Sequence, residues 1–222
     1  MNFCRLFFLL LCLVQCSIEA SEQNKQFSDI FKEHSGLLKN LDVAQPPFII
    51  SFSATPGMGK SEVAKRLETS LQAIRLSSDT ARRLLVQHGL KPNYIDPETG
   101  QSTLMSYLGY SLEQLQKTSP NHLFILDMSI DRQYPLIASA TAKNGWKLFV
   151  IRLVVPRVSV EKRICDREST PEAYLKHMDT WYKDYNAFDP QHIDFVLDNS
   201  GTLEDLPMQK LLHEIKNSME NG

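Results

Sequence analysis

Two rhythms of apolar residues alternate along this chain. Short, nearly unbroken apolar runs stand between longer stretches in which apolar residues return every three or four positions. The runs "FIISFS" (48–53), "AIRLS" (73–77), "HLFILD" (122–127), "KLFVIRLVV" (147–155) and "IDFVLD" (193–198) predict strands. "HLFILD" carries no polar interruption before its last residue, as a strand buried on both faces requires. Helical spacing covers 61–73, where Val63, Ala64, Leu67 and Leu71 share one face. It returns over 80–86, 102–116, 132–143, a long charged region 159–185, and 203–219. Phe27, Ile30, Phe31, Leu37 and Leu38 predict a leading helix within 21–41, and "QPP" at 45–47 ends that lead-in. Gly, Pro, Asn and Asp cluster in "HGLKPNYIDPETGQ" (88–101), which reads as a loop. Strands alternating with helices imply an α/β fold. The expectation is three layers: a parallel sheet of about five strands with helices on both faces.

The N-terminus departs from this pattern. Arg5 precedes "LFFLLLCLV" (6–14), and polar residues follow. A charge, a short apolar core and a small residue at Ala20 read as an export signal over 1–20. The apolar run falls well short of the ~20 residues of a spanning helix, so no stable membrane span is expected. A retained anchor is one alternative and a lipoprotein is another, since "LVQC" ends at Cys16. The division expected is a signal over 1–20, a leading helix and linker over 21–46, and one domain over 47–222. The expected location is therefore periplasmic or secreted.

Composition adds two exclusions. The formal net charge of −2 argues against a surface given over to nucleic acid, without bearing on a local basic cleft. Of four cysteines, Cys4, Cys12 and Cys16 lie in the signal, so a mature domain holding only Cys165 has no internal disulfide.

The chemistry starts directly after the first strand, at Ala54-Thr55-Pro56-Gly57-Met58-Gly59-Lys60-Ser61. This is the phosphate-binding loop pattern with Ala54 in place of the first glycine. Backbone N–H groups must wrap a phosphate, which needs glycines free to take unusual φ, and the following helix turns its positive end to the same group. Lys60 then reaches the β- and γ-phosphates, and the Ser61 hydroxyl is offered to Mg²⁺. Asp127 closes "HLFILD", where a carboxylate at the carboxyl end of a buried strand can join the Mg²⁺ shell. In "SSDTARRLL", Asp79 and Arg82 share a helix face. Asp79 is suited to take a proton from an attacking hydroxyl, or simply to cap its helix. Arg82 is suited to an anionic acceptor group.

Together "ATPGMGKSE", "SSDTARR", "LFILD" and the R-x-x-x-R pair Arg163 and Arg167 resemble the P-loop kinases of the polynucleotide kinase and zeta-toxin type, over most of 48–200. The resemblance implies a nucleotide-kinase-like fold with ATP as co-substrate and Mg²⁺. It makes Asp79 the base, Arg82 an acceptor-binding residue, and Arg163 and Arg167 lid residues that stabilise charge on the transferring phosphoryl. "VLDNSG" (196–201) falls where a loop of that family often approaches the adenine. Trp181, Tyr182 and Tyr185 read as core packing rather than base stacking. The implied activity is transfer of the γ-phosphate to a hydroxyl of a small molecule or nucleotide-type acceptor. A nucleic-acid end is the less favoured acceptor. The alternatives are an NTPase or switch acting on a protein partner, and an inactive exported nucleotide-binding protein. An exported ATP user also needs ATP where it arrives. Delivery into a host cell, a toxin's attack on another cell, or a start assigned too early would each resolve that.

Overall fold

A computed structural model describes residues 22–36, 47–97, 100–119, 122–143, 145–201 and 207–220. The export signal expected over 1–20 and the linker expected before residue 47 lie outside them. The described residues form two compact units, the first of those within 22–36 and 79–118, the second of those within 47–78 and 119–220.

The larger unit is built on a five-stranded, wholly parallel sheet in the order β2-β3-β1-β4-β5. The strands are β1 (Phe48–Ser53), β2 (Ile74–Ser77), β3 (Leu123–Ser129), β4 (Lys147–Val154) and β5 (Phe195–Asp198). All five strand expectations are met. β1 is buried along its whole length, as a central strand covered on both faces must be. The chain leaves β1 for the β2–β3 side and later returns for β4 and β5, which places a switch of direction beside β1. Ligands of open α/β sheets sit outside the carboxyl ends of the strands at such a switch.

Helices α2 (Lys60–Leu71), α5 (Tyr134–Lys143), α6 (Arg157–Arg167), α7 (Glu172–Leu175), α8 (Met178–Ala187) and α9 (Met208–Glu220) surround the sheet. Their buried residues follow helical spacing: Val63, Ala64, Leu67 and Leu71 on α2, Val160 and Ile164 on α6, Leu211 and Ile215 on α9. They join Phe48, Ile50, Phe52, Phe149, Ile151 and Leu153 in one core cluster. Each of these side chains larger than alanine contributes about 1.5–3 kcal/mol by leaving water. The helical region expected over 159–185 is divided among three helices. Pro171 has no N–H for an i−4 bond and biases Thr170 away from helical backbone, so α6 stops at Arg167 and Glu168 is extended. Tyr182 and Trp181 pack against the core as expected. Tyr185 is buried with its hydroxyl donating to Leu153 O at 2.8 Å. The last helix begins at Met208, and 202–206 lie outside the described residues.

The smaller unit holds three helices: α1 over 22–36, α3 (Ser78–Gln87, all but its first residue) and α4 (Thr103–Thr118). Ser102 Oγ accepts from Met105 N at 3.3 Å and caps α4. The apolar face of α1 meets α4 through Phe27 edge-on to Tyr107 at 5.5 Å and Phe31 edge-on to Tyr110 at 6.3 Å. Among the described residues no helix is long and apolar enough to cross a membrane.

One polar pair interrupts that apolar contact. His34, 1% exposed, lies 2.9 Å through Nδ1 from the Tyr107 hydroxyl. Burial pushes the His34 imidazole down to about 4 and the Tyr107 phenol up to about 12. A histidine whose folded pKa is depressed leaves the unfolded chain binding more protons between about 4 and the ordinary value near 6.5. Stability of this unit is therefore expected to fall as pH drops through that window, by up to about 3 kcal/mol, and to level off below it. Thermal unfolding at pH 7, 5.5 and 4 checks this. His34→Leu should flatten the His34 part of the slope, and an unchanged slope would refute the assignment.

Candidate functional site

β1 runs straight into the glycine loop, and the loop runs into α2. Gly57 and Gly59 both take φ near +87°, the left-handed region that side chains avoid. Space is short as well. A Cβ on Gly57 would press on Val160 and Ile164 of α6, and one on Gly59 would collide with the Asn199 side chain. Ala54 has a negative φ, so a methyl group where the pattern has glycine costs nothing in backbone conformation. The loop is held by its own residues: Met58 N donates to Thr55 O, and Thr55 N to Met58 Sδ, both at 3.3 Å. Gly59 caps α2 with its carbonyl, which accepts from Glu62 N and Val63 N, and no side chain caps that helix start with a hydrogen bond. The open N–H groups of a helix start, beside Lys60, form a site for an anion.

Asp127 is the hub next to it. β3 pairs with β1 on one side and β2 on the other, so its carboxyl end reaches the loop. Asp127 is 2% exposed. Its Oδ1 accepts from Ser61 Oγ at 3.0 Å and from Lys60 Nζ at 3.4 Å. Its Oδ2 accepts from Arg75 Nη1 at 2.8 Å. Ser78 Oγ donates to its main-chain carbonyl at 3.1 Å. Asp127 is thus brought to the neighbouring pair Lys60 and Ser61, from 67 and 66 residues along the chain.

Arg75 was not expected. Register explains its place: Asp127 lies opposite Ser77, so Arg75, two residues earlier on β2, points from the same face of the sheet and reaches Asp127 diagonally. Its Nε donates to Glu68 of α2 at 2.9 Å. Burial works against the Arg75 charge, yet the hydrogen bond to Glu68 and the Asp127 carboxylate outweigh it and raise its pKa. A cation inside a short buried strand was the available sequence signal, because such a charge requires a partner.

The two expected lid arginines have different surroundings. Arg163 reaches across to the turn after β5, donating through Nη2 to Asn199 O at 2.8 Å and to Gly201 O at 3.4 Å. Its Nη1 would lie 3.9 Å from a Cβ on Gly59, so the guanidinium stands beside the loop. Arg167 is 60% exposed and pairs with its neighbour Glu168 at 2.6 Å. Asp79 is exposed in the first turn of α3, and Arg82 Nη1 donates to Asn93 Oδ1 at 2.7 Å within the smaller unit. Asp131, two residues beyond β3, accepts from Ser129 Oγ at 2.9 Å, and burial pushes its carboxyl above the ordinary range.

Among the described residues no group of three or more His, Cys, Asp or Glu side chains could hold a metal. Mg²⁺ takes one or two protein oxygens and completes its shell with phosphate and water. The buried Asp127 carboxylate and the Ser61 hydroxyl bonded to it are hard oxygen donors of that kind.

No family model matches the sequence. A UPF0200 protein of Aeropyrum pernix is 25% identical over 171 residues, which cover 72% of this chain and 89% of that protein. Among solved structures, a gluconokinase from Sinorhizobium meliloti superposes with a TM-score of 0.52 at 14% identity, covering 79% of this chain and 94% of that one. A sugar kinase from Janibacter gives a TM-score of 0.50 at 16% identity, covering 76% and 93%. At such identities the likeness is one of fold, and the fold is that of the P-loop kinases.

Proposed function

We propose that this protein is an ATP-dependent phosphotransferase that moves the γ-phosphate to a hydroxyl of a small-molecule or nucleotide-type acceptor. The observation that carries this reading is the convergence of Lys60, Ser61 and the glycine loop on a buried Asp127 at the carboxyl ends of the central strands. The gluconokinase and the sugar kinase of like fold favour a small acceptor over a nucleic-acid end.

In this reading residues 54–61 wrap the triphosphate, and Lys60 turns from Asp127 toward the β- and γ-oxygens. Ser61 and Asp127 hold Mg²⁺, which when bound neutralises phosphate charge and orients the oxygens. Arg163 stabilises charge that grows on the transferring group. Arg167 would have to leave Glu168 to join it. The step itself needs positioning more than covalent chemistry. Asp79 is read as the base that takes the acceptor hydroxyl's proton, with Arg82 holding an anionic group of the acceptor.

Asp79→Asn is expected to lower phosphotransfer by about 10²-fold or more while ATP affinity stays within about twofold. Turnover in the presence of sugars, nucleosides and oligonucleotide ends, with ATP titrated separately, reads both. Unchanged turnover in the variant would favour a nucleotide switch or hydrolase acting on a protein partner.

We also propose that 1–20 is an export signal. The native protein is then expected to begin at Ser21, and N-terminal sequencing of the purified protein decides it. An N-terminus still carrying residues 1–20 would refute the cleaved signal.

A further inference from the structure

Asn199, in the turn after β5, reaches across the fold to the glycine loop. The residue is 3% exposed, and its Nδ2 donates to Met58 O at 2.6 Å. A carbonyl partner demands a donor, which fixes the amide end that faces the loop. The turn around Asn199 is itself anchored. Asn199 N donates to Val154 O at 2.9 Å, and Asp198 Oδ1 accepts from Ser200 N at 2.9 Å and Ser200 Oγ at 2.6 Å. Arg163 holds the Asn199 carbonyl at 2.8 Å. The Asn199 side chain also fills the space beside Gly59 where a Cβ would otherwise fit.

The peptide between Met58 and Gly59 is planar and trans, like the rest of the described backbone. In such a unit C=O and N–H point in opposite directions. Fixing Met58 O on Asn199 therefore turns the Gly59 N–H away from the β5 turn. The left-handed φ of Gly59 permits this orientation, and the Thr55–Met58 bonds hold the other end of the turn.

We propose that Asn199 is a positioning residue that aims the Gly59 amide at the bound phosphates, with Arg163 locking its backbone. The inference rests on the reading of the loop as an ATP site. It gives the turn after β5 a role toward the phosphates, distinct from any contact with the base. It also means that a group set by the loop's neighbour, as well as the loop's own sequence, determines phosphate affinity.

The test uses the full chain, with Mg·ATP and tripolyphosphate as probes, on the wild type, Asn199→Ala and Asn199→Asp. Asparagine to aspartate keeps the volume beside Gly59 and puts an acceptor against Met58 O, so it carries the test if the alanine variant does not fold. Both variants are expected to weaken ATP and tripolyphosphate alike, by about tenfold. The Gly59 amide NMR signal, which should move on ligand addition in the wild type, should move less in the variants. Thermal midpoints measured alongside identify plain unfolding. Three results overturn the proposal: unchanged affinity with an unchanged Gly59 response, loss of ATP affinity without loss of tripolyphosphate affinity, or a lower midpoint with intact phosphate binding. A wild type that binds ATP separates each of these from failure of the ATP reading. A wild type that binds neither probe overturns both.

Discussion

Lys60→Ala is expected to lower Mg·ATP affinity and turnover by about 10²-fold or more, with little loss of stability. The ammonium is the cation at the head of α2, where the loop amides and the helix N-terminus converge, and it is only 18% exposed. Against a polyanion in such a setting, each charge-assisted hydrogen bond contributes about 1.5–3 kcal/mol. Losing two of them accounts for the fold-change. Stability should change little because Asp127 keeps Arg75 at 2.8 Å and Ser61 at 3.0 Å when Lys60 is removed. Calorimetric titration with Mg·ATP beside thermal unfolding measures both quantities. Full ATP affinity in the alanine variant would remove the loop from the mechanism.

Asp127 should behave differently, since it serves the fold and the site together. Asp127→Ala leaves the Arg75 guanidinium, with a side chain 20% exposed, to its other acidic partner, Glu68. Removing one member of a buried ion pair costs about 3–5 kcal/mol, and Glu68 should hold the loss near the lower end. Asp127→Asn keeps the shape and the Ser61 contact. Its stability loss should be smaller, while Mg²⁺-dependent turnover should still fall by about 10²-fold. Unfolding midpoints of the two variants, set beside the Mg²⁺ concentration for half-maximal turnover in the asparagine variant, separate the two roles. An asparagine variant with unchanged Mg²⁺ dependence would mean that Asp127 only neutralises Arg75 and Lys60.

These two expectations differ in how they could be reached. Lys60 needs nothing beyond the eight residues of its loop. Asp127 was legible as a strand-end carboxylate, but its bond to Arg75 was not, because that bond depends on which residue of β2 stands beside β3. The long region 159–185 shows the reverse case. Its helical spacing is genuine within each segment, and one proline outweighs it at 171. The two arginines read as equals from their i, i+4 spacing part company for a tertiary reason. Arg163 meets the carbonyls of the β5 turn, and Arg167 faces its own neighbour Glu168.

Residue order alone carries what lies within a few residues of chain. Unbroken apolar runs make buried strands, glycines at 57 and 59 permit left-handed backbone, and a helix start follows with its amides open. Propensity, periodicity and φ freedom are local properties, so they can be read from residue order. Which distant groups complete the site depends on the folded sheet. Arg75 and Asp127 are 52 residues apart, and Met58 and Asn199 are 141 apart. Strand register and the order β2-β3-β1-β4-β5 bring each pair together, and both arise from burying the whole sheet at once. No single stretch of sequence carries that information, because the energy that selects it is shared across the core.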